Sequence, residues 1–364
     1  MLEPRDRVAM AFAHEQPDRC PMQVSFTPEF AVRLRKDLNL ETGGRHNPHG
    51  GGNPYDLEQA VGCDMLITSV GWANSYYQEG RDYTDEWGIS WRLSPYDTRF
   101  GRGVYTEIAG HPLADETAIP AYTPPDPNRP ALYDAARLAV AGFGSRFWIC
   151  GAVVTTVWET AWALRGLERL LEDLVVAPDV ADAVLEIPYR YHLAAARKMT
   201  SLGIDMLWLG DDVGGQNGMI MSPGTWRRFL KPRLSSIISE VKAINPRLVV
   251  AYHSDGNVEA IIPELIDVGL DVLNPVQPLC MDPAGLKKKY GRNLCFWGSI
   301  DEQRTLPFGT AEEVRNEVLE RLRTIGRGGG LLLGPTHHVQ LDTPLENFWS
   351  MVRTVKDTPY SEVA

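Results

Sequence analysis

The chain has 364 residues, with 36 basic and 47 acidic side chains and a formal net charge of −11. An apolar content of 44% is that of an ordinary globular protein, and the acidic balance excludes a general nucleic-acid binder, which needs a basic surface to displace counterions. There is no run of about 18 apolar residues, so no membrane span is expected, and the charged stretch Met1–His14 lacks the apolar core of a secretory signal. Cys20, Cys63, Cys150, Cys280 and Cys295 are scattered and form no CxxC pair, which fits a reducing cytoplasm rather than a disulfide framework.

Eight short apolar runs recur along the chain: Met22–Phe26, Asp64–Thr68, Phe147–Val153, Ile204–Leu209, Leu248–Tyr252, Asp271–Asn274, Leu294–Trp297 and Gly330–Leu333. They are continuously apolar rather than alternating, as strands are when both faces are covered. The segments between them carry the helical period. Val180, Val184, Ile187 and Tyr191 make one stripe; Val258, Ile261, Ile262, Leu265 and Val268 another, closed by Gly269; Val314, Val318, Leu322 and Ile325 a third, closed by Gly326. Ser222-Pro223 predicts the start of a helix toward Ile244 that Pro232 kinks or splits. Strands alternating with helices predict a (β/α)8 TIM-type barrel. The competing doubly wound sheet lacks its glycine fingerprint here, and no P-loop is present. The reading is one domain over residues 1–364.

Two stretches break the rhythm. Residues 71–130 hold Tyr76-Tyr77, Trp87, Trp91, Tyr96 and Tyr105 with alternation near Ile89–Leu93 and Val104–Ile108, and predict a β-meander inserted after the second strand, ending in a Pro-rich loop. Such an insertion belongs to the catalytic face of a barrel, where it walls the site; an edge decoration or a subunit contact is the alternative. Residues 43–52, glycine-rich with His46 and His49, predict a flexible loop in preference to a metal site.

A barrel builds its site at the C-terminal ends of its strands. There stand Asp211-Asp212 and Gln216, His253-Ser254-Asp255, Asn274 and Gln277, Trp297, and His337-His338, with Glu159 after the third strand. His253 and Asp255, at i and i+2 beyond one strand, can face one ion, with His337 (or His338) reaching in from the last strand. Hydrogen-bonded rim residues are the alternative for each histidine alone. Asp211, Asp212 and Glu159 are candidate acids and bases, although one of the paired aspartates is expected to cap a loop. Gln216, Asn274 and Gln277, with the indoles of Trp158 and Trp297, are candidate substrate contacts. Trp72 is a further strand-end indole, Cys295 is expected to be buried packing, and Cys280 is a weak soft-ligand candidate.

Nearly the whole chain resembles the uroporphyrinogen decarboxylase superfamily. The resemblance runs through Arg5–Phe12, Gln16–Pro21, Gly210-Asp211-Asp212, Met221-Ser222-Pro223, His253–Gly256, Gly269–Pro275, Gly291–Gly298 and Thr343–Asn347. It implies a (β/α)8 barrel, and family members often pair as homodimers. True decarboxylases of the porphyrin precursor carry an arginine-rich segment after the first strand; here Ser25–Phe30 holds no arginine. The other branch, corrinoid-linked methyltransferases, binds zinc through His-x-Cys and a later cysteine. By position His253 matches the histidine, Asp255 replaces the first cysteine and His337 the second.

The resemblance therefore implies an oxygen-directed member. It would be a zinc-dependent methyltransferase moving a methyl group from a small methoxylated, aromatic or non-aromatic compound to a corrinoid carried by a partner protein. A metal-free decarboxylase or lyase using Asp211 or Asp212, and a non-catalytic ligand-binding barrel, are the competing readings.

Overall fold

In the computed structural model the described residues are 2–41, 46–70 and 81–363. The strands in chain order are β1 (Met65–Ser69), β2 (Tyr83–Thr84), β3 (Ser90–Thr98), β4 (Gly101–Gly110), β5 (Trp148–Val154), β6 (Met206–Gly210), β7 (Gly214–Gly215), β8 (Gly218–Met219), β9 (Val249–His253), β10 (Val272–Asn274), β11 (Cys295–Ile300) and β12 (Leu331–Pro335). Seven of them form one parallel sheet in the order β1-β5-β6-β9-β10-β11-β12.

The first expected strand, Met22–Phe26, is not a strand of that sheet but closes its two edges. On the β12 side Leu333 N–H donates to Pro21 O and Gln23 N–H to Leu333 O, at 2.9 and 3.0 Å. On the β1 side Asp64 N–H donates to Met22 O at 2.8 Å. Its two parallel bridges, Met22 to Leu333 and Phe26 to Val339, set four residues on one side against six on the other, so no continuous ladder forms. Buried charge reinforces the closure. Asp64 accepts from Arg7 Nη1 (2.6 Å), Arg19 Nη1 (2.8 Å) and Met22 N–H (2.9 Å). Removing such a buried carboxylate costs about 3–5 kcal/mol, because Arg19 loses its counter-charge and Arg7 keeps only Asp18.

Alternation along the staves divides the core. Met65 and Ile67, Cys150 and Ala152, Met206 and Trp208, and Cys295 and Trp297 point to one another inside the barrel. Leu66, Ile149, Val153, Leu207, Leu209 and Val250 point outward against the helices. Both faces are thus covered, each large side chain contributing about 1.5–3 kcal/mol by leaving water, and the strands read as apolar throughout. Cys295 is interior packing, as expected.

Val314, Val318 and Leu322 are buried on helix Ala311–Arg323, with Ile325 buried just beyond it, and Val184 and Tyr191 are buried on helix Pro178–Ser201, where Val180 and Ile187 are half-buried. The stripe from Val258 to Val268 is a 3-10 turn, Glu259–Ile261, followed by the short helix Ile262–Asp267. The expected helix beginning at Ser222 is split into Pro223–Phe229 and Lys231–Ile244 around Leu230. Pro232 thereby falls in a first turn, where its missing N–H costs nothing.

Between β1 and β5 a three-stranded antiparallel meander, β2-β3-β4, pairs Tyr83 with Trp91 and Leu93 with Thr106. It seats on helix Pro28–Asp37, where Val104 N–H donates to Glu29 Oε1 (3.3 Å) and the Arg33 guanidinium lies 4.1 Å from the Phe100 ring centre. Trp72 and Tyr76-Tyr77 lie outside the described residues.

Candidate active site at the strand ends

A cavity of about 210 Å³ opens at the C-terminal ends of the staves. Val154 and Thr155 come from the end of β5, His253 from β9, Asn274 from β10, and Pro335 to His338 from the end of β12 and beyond; Gln23 and Ser25 come from the closing segment. Its floor is the pair Trp208 and Trp297, with ring centroids 4.7 Å apart. Among the described residues no lysine or arginine lines it.

Two local devices bring the acids to His253. Gly210 pairs with His253 across β6 and β9, and a Cβ on Gly210 would lie 2.5 Å from His253 Cβ, so only glycine lets the strands meet there. Gly256 holds φ +78 where a Cβ would strike Gly214, turning the chain sharply after Asp255. The result places one ligand atom from each of Asp212, His253 and Asp255 within 4.8 Å of one another. His253 Nε2 is 3.5 Å from Asp212 Oδ1 and 3.8 Å from Asp255 Oδ1. Asp255 Oδ1 is buried and accepts no hydrogen bond among the described residues. Burial pushes the Asp255 carboxyl up, against the pull of His253 and His337. Burial also opposes charge on His253, yet Asp212 and Asp255, with Asn274, raise its proton affinity above the ordinary value.

The aspartate pair divides its work. Asp211 turns from the cavity to the start of helix Trp158–Arg165, accepting from the N–H groups of Val157 (3.0 Å) and Glu159 (2.9 Å). Burial nonetheless pushes its carboxyl up to about 7, the backbone donors opposing. That cap aims Glu159 into the cavity, where Glu159 Oε2 accepts from Asp212 N–H at 3.3 Å. Burial, with Asp212 and Asp211 adding repulsion, holds the Glu159 carboxyl well above the carboxylate range.

The remaining expected residues fall on both sides of the cavity wall. Trp297, Asn274, His337 and His338 line it. The His337 ring centre is 6.4 Å from that of His253, but His337 stands outside the convergent trio; Asp212 takes the third place. Trp158 is fully buried and does not line the cavity. Gln277 accepts from Gly256 N–H at 2.6 Å, bracing the loop that carries Asp255. Gln216 donates to Leu279 O on the exposed rim. Cys280 is half-buried, its Sγ 3.5 Å from Gln277 Oε1. No described residue of the β2-β3-β4 meander lines the cavity.

Residues 43–45 of the expected flexible loop lie outside the described residues, and the described remainder carries two histidines that both pack inward. His46 is buried against Phe26, ring centres 5.6 Å apart, and lies 3.8 Å from Glu58. His49 lines the cavity, 5.1 Å from His338 between ring centres, and burial together with His337 and His253 lowers its proton affinity to about 4. Tyr55 Oη, with one proton to give, lies 2.9 Å from Ile67 O and 3.2 Å from Gly50 O, between this stretch and β1. Trp208, Gln23, Ser25 and Thr155 were also missed. Only Trp208 carried a signal, as a large ring at an inward-facing alternate of an apolar run.

Polar side chains gathered on the C-terminal rim of a parallel barrel define a (β/α)8 protein of the kind that works at its strand ends. The uroporphyrinogen decarboxylase (URO-D) family model matches residues 96–358, and the chain belongs to that family. It is 27% identical over 238 residues to the methylcobamide:CoM methyltransferase MtaA of Methanosarcina barkeri, covering 65% of this chain and 66% of that protein. It is likewise 27% identical over 163 residues to a uroporphyrinogen decarboxylase of Trichodesmium erythraeum, covering 44% of this chain and 43% of that one. The chain thus spans less than two thirds of these relatives' length. A methyltransferase from Methanosarcina mazei superposes over 98% of this chain and 99% of its own with a TM-score of 0.69 at 20% identity, which shows the common fold.

Proposed function

We propose that this chain is a metal-dependent methyltransferase that takes a methyl group from a small methoxylated, preferably aromatic, compound and passes it to the reduced corrinoid of a partner protein. The observation that carries the reading is the convergence of Asp212, His253 and Asp255. One imidazole and two carboxylates form a hard N/O/O set that suits zinc or a related divalent ion, and Asp255 Oδ1, which accepts no hydrogen bond among the described residues, is available to hold it. Bound there, the metal would supply a Lewis acid for the oxygen of the methoxy group. No cysteine belongs to the trio, so the set is matched to an oxygen function rather than to a thiol.

The chain's own residues would do the rest. Trp208 and Trp297 offer flat apolar surface to an aromatic ring. Glu159, whose carboxyl burial and the neighbouring aspartates hold well above the carboxylate range, is placed to donate a proton. When the methyl–oxygen bond breaks, the electron pair stays on oxygen and that oxygen takes the Glu159 proton. Among the described residues the lining holds no lysine or arginine, which gives a polycarboxylate no counter-charge there.

The test is methyl transfer from a panel of methoxyarenes to free cob(I)alamin, followed by the cobalamin spectrum. Turnover that a chelator abolishes and zinc restores supports the reading. Carbon dioxide release from an aromatic acid, unaffected by chelator, would replace it with the lyase.

A further inference from the structure

We propose that Asn274 is a positioning residue that fixes the tautomer and the rotation of His253. Its amide lies between two strands. On one side Asn274 Nδ2 is 3.0 Å from the carbonyl oxygen of Trp297 on β11. On the other, Asn274 Oδ1 is 2.7 Å from His253 Nδ1 on β9. A carbonyl oxygen only accepts, so the group facing Trp297 must be the NH2, and the amide cannot be turned round. The oxygen is thereby committed to His253 and only accepts. His253 Nδ1 must therefore carry the proton of the neutral ring, and Nε2 presents its lone pair toward Asp212 and Asp255.

The backbone holds Asn274 as firmly as its side chain does. It pairs in register with His253, its carbonyl oxygen accepts from Ser254 N–H at 3.0 Å, and it is buried. Gly298, next to the Trp297 carbonyl, has φ +120, and a Cβ there would lie 2.4 Å from Pro275 O, so β10 and β11 approach closely where the amide bridges them. A residue read from the sequence as a substrate contact thus acts through the histidine. Three consecutive staves place one nitrogen lone pair: Trp297 orients Asn274, and Asn274 orients His253.

The inference about the tautomer stands on hydrogen-bond geometry; its consequence for zinc rests on the proposed metal trio. The test is 15N NMR of the imidazoles in the metal-free full chain, at a pH where His253 is neutral, assigned with His253→Gln. The expected spectrum has a protonated Nδ1 and an unprotonated Nε2 at His253. A proton on Nε2 in the wild-type chain overturns the proposal without any variant. Asn274→Leu is expected to release the ring into mixed tautomers and to weaken zinc binding about 10–100-fold. Asn274→Asp keeps the acceptor and is expected to restore the Nδ1–H form. An Asn274→Leu chain that folds with the tautomer and zinc affinity of wild type also overturns it. If the wild-type chain binds no zinc, the metal reading falls, while the tautomer still decides the role of Asn274.

Discussion

The backbone N–H of Asp255 donates to Asp212 Oδ1 at 2.8 Å, and that same oxygen lies 3.5 Å from His253 Nε2. Two acids from successive strand-end loops are therefore tied together through main chain rather than driven apart, with the imidazole between them. Asp212→Asn keeps an acceptor for the Asp255 N–H but removes one charge from the trio. Zinc affinity, read by competition with a chromophoric chelator, should fall at least about tenfold while the thermal midpoint stays close to wild type. Unchanged affinity would remove Asp212 from the ligand set.

Glu159 reaches the cavity because Asp211 caps its helix, and burial with the adjacent aspartates holds its carboxyl well above the carboxylate range. Glu159→Gln preserves the shape and the acceptor for Asp212 N–H but has no proton to give. The expected loss in kcat is about 10²–10⁴-fold, with KM little altered. A variant with wild-type kcat would assign the proton to another donor or to water.

Gly210 tests geometry without replacing a ligand. Its added Cβ would meet His253 Cβ at 2.5 Å and the His253 backbone within 3 Å, so Gly210→Ala must push β9 away from β6. Overpacking of this kind costs about 1–3 kcal/mol. Zinc affinity should fall with stability, although Asp212, His253 and Asp255 all remain. Lost stability with full metal affinity would show that the trio tolerates the shift.

How much of this was legible in the sequence follows from the physics of each residue. Seven of the eight apolar runs are staves because burial on both faces leaves a continuous apolar signature. The eighth, Met22–Phe26, lies where expected but makes only two isolated bridges, since its mismatch with β12 depends on backbone spacing that side-chain pattern does not encode. His253 and Asp255 were visible because one strand end carries both. The convergent trio takes Asp212 where the sequence pointed to His337: both follow strands, and the close approach permitted by Gly210 brings His253 beside Asp212. His49 was hidden in a glycine-rich stretch whose composition predicts a loop, whereas the Tyr55 hydroxyl, remote from any motif, sits between that stretch and the barrel.

The N-terminal closure should carry a pH signature. Asp18 accepts from Arg7 Nε at 2.7 Å, and that pairing lowers its carboxyl from 3.8 to about 2, against the opposing effect of burial. A depressed folded pKa contributes stability above the unfolded value and loses it as protons bind, so the contribution is complete above pH 3.8 and fades toward pH 2. Partial exposure of Asp18 keeps the effect modest. In urea titrations Asp18→Asn should be less stable than wild type at neutral pH, and the gap should close as pH falls through this window. A gap independent of pH would mean that the pair contributes packing rather than charge.

The central claim is that this barrel holds a divalent ion between Asp212, His253 and Asp255, and calorimetric titration of metal-free protein with zinc tests it most directly. The account predicts saturable binding at about one ion per chain in the wild type, with the protons released on ligation taken up by buffer, and loss of that binding in His253→Ala. Binding below about 0.1 ion per chain, or binding equal in wild type and His253→Ala, would contradict it, since a single imidazole is a large share of a three-ligand site.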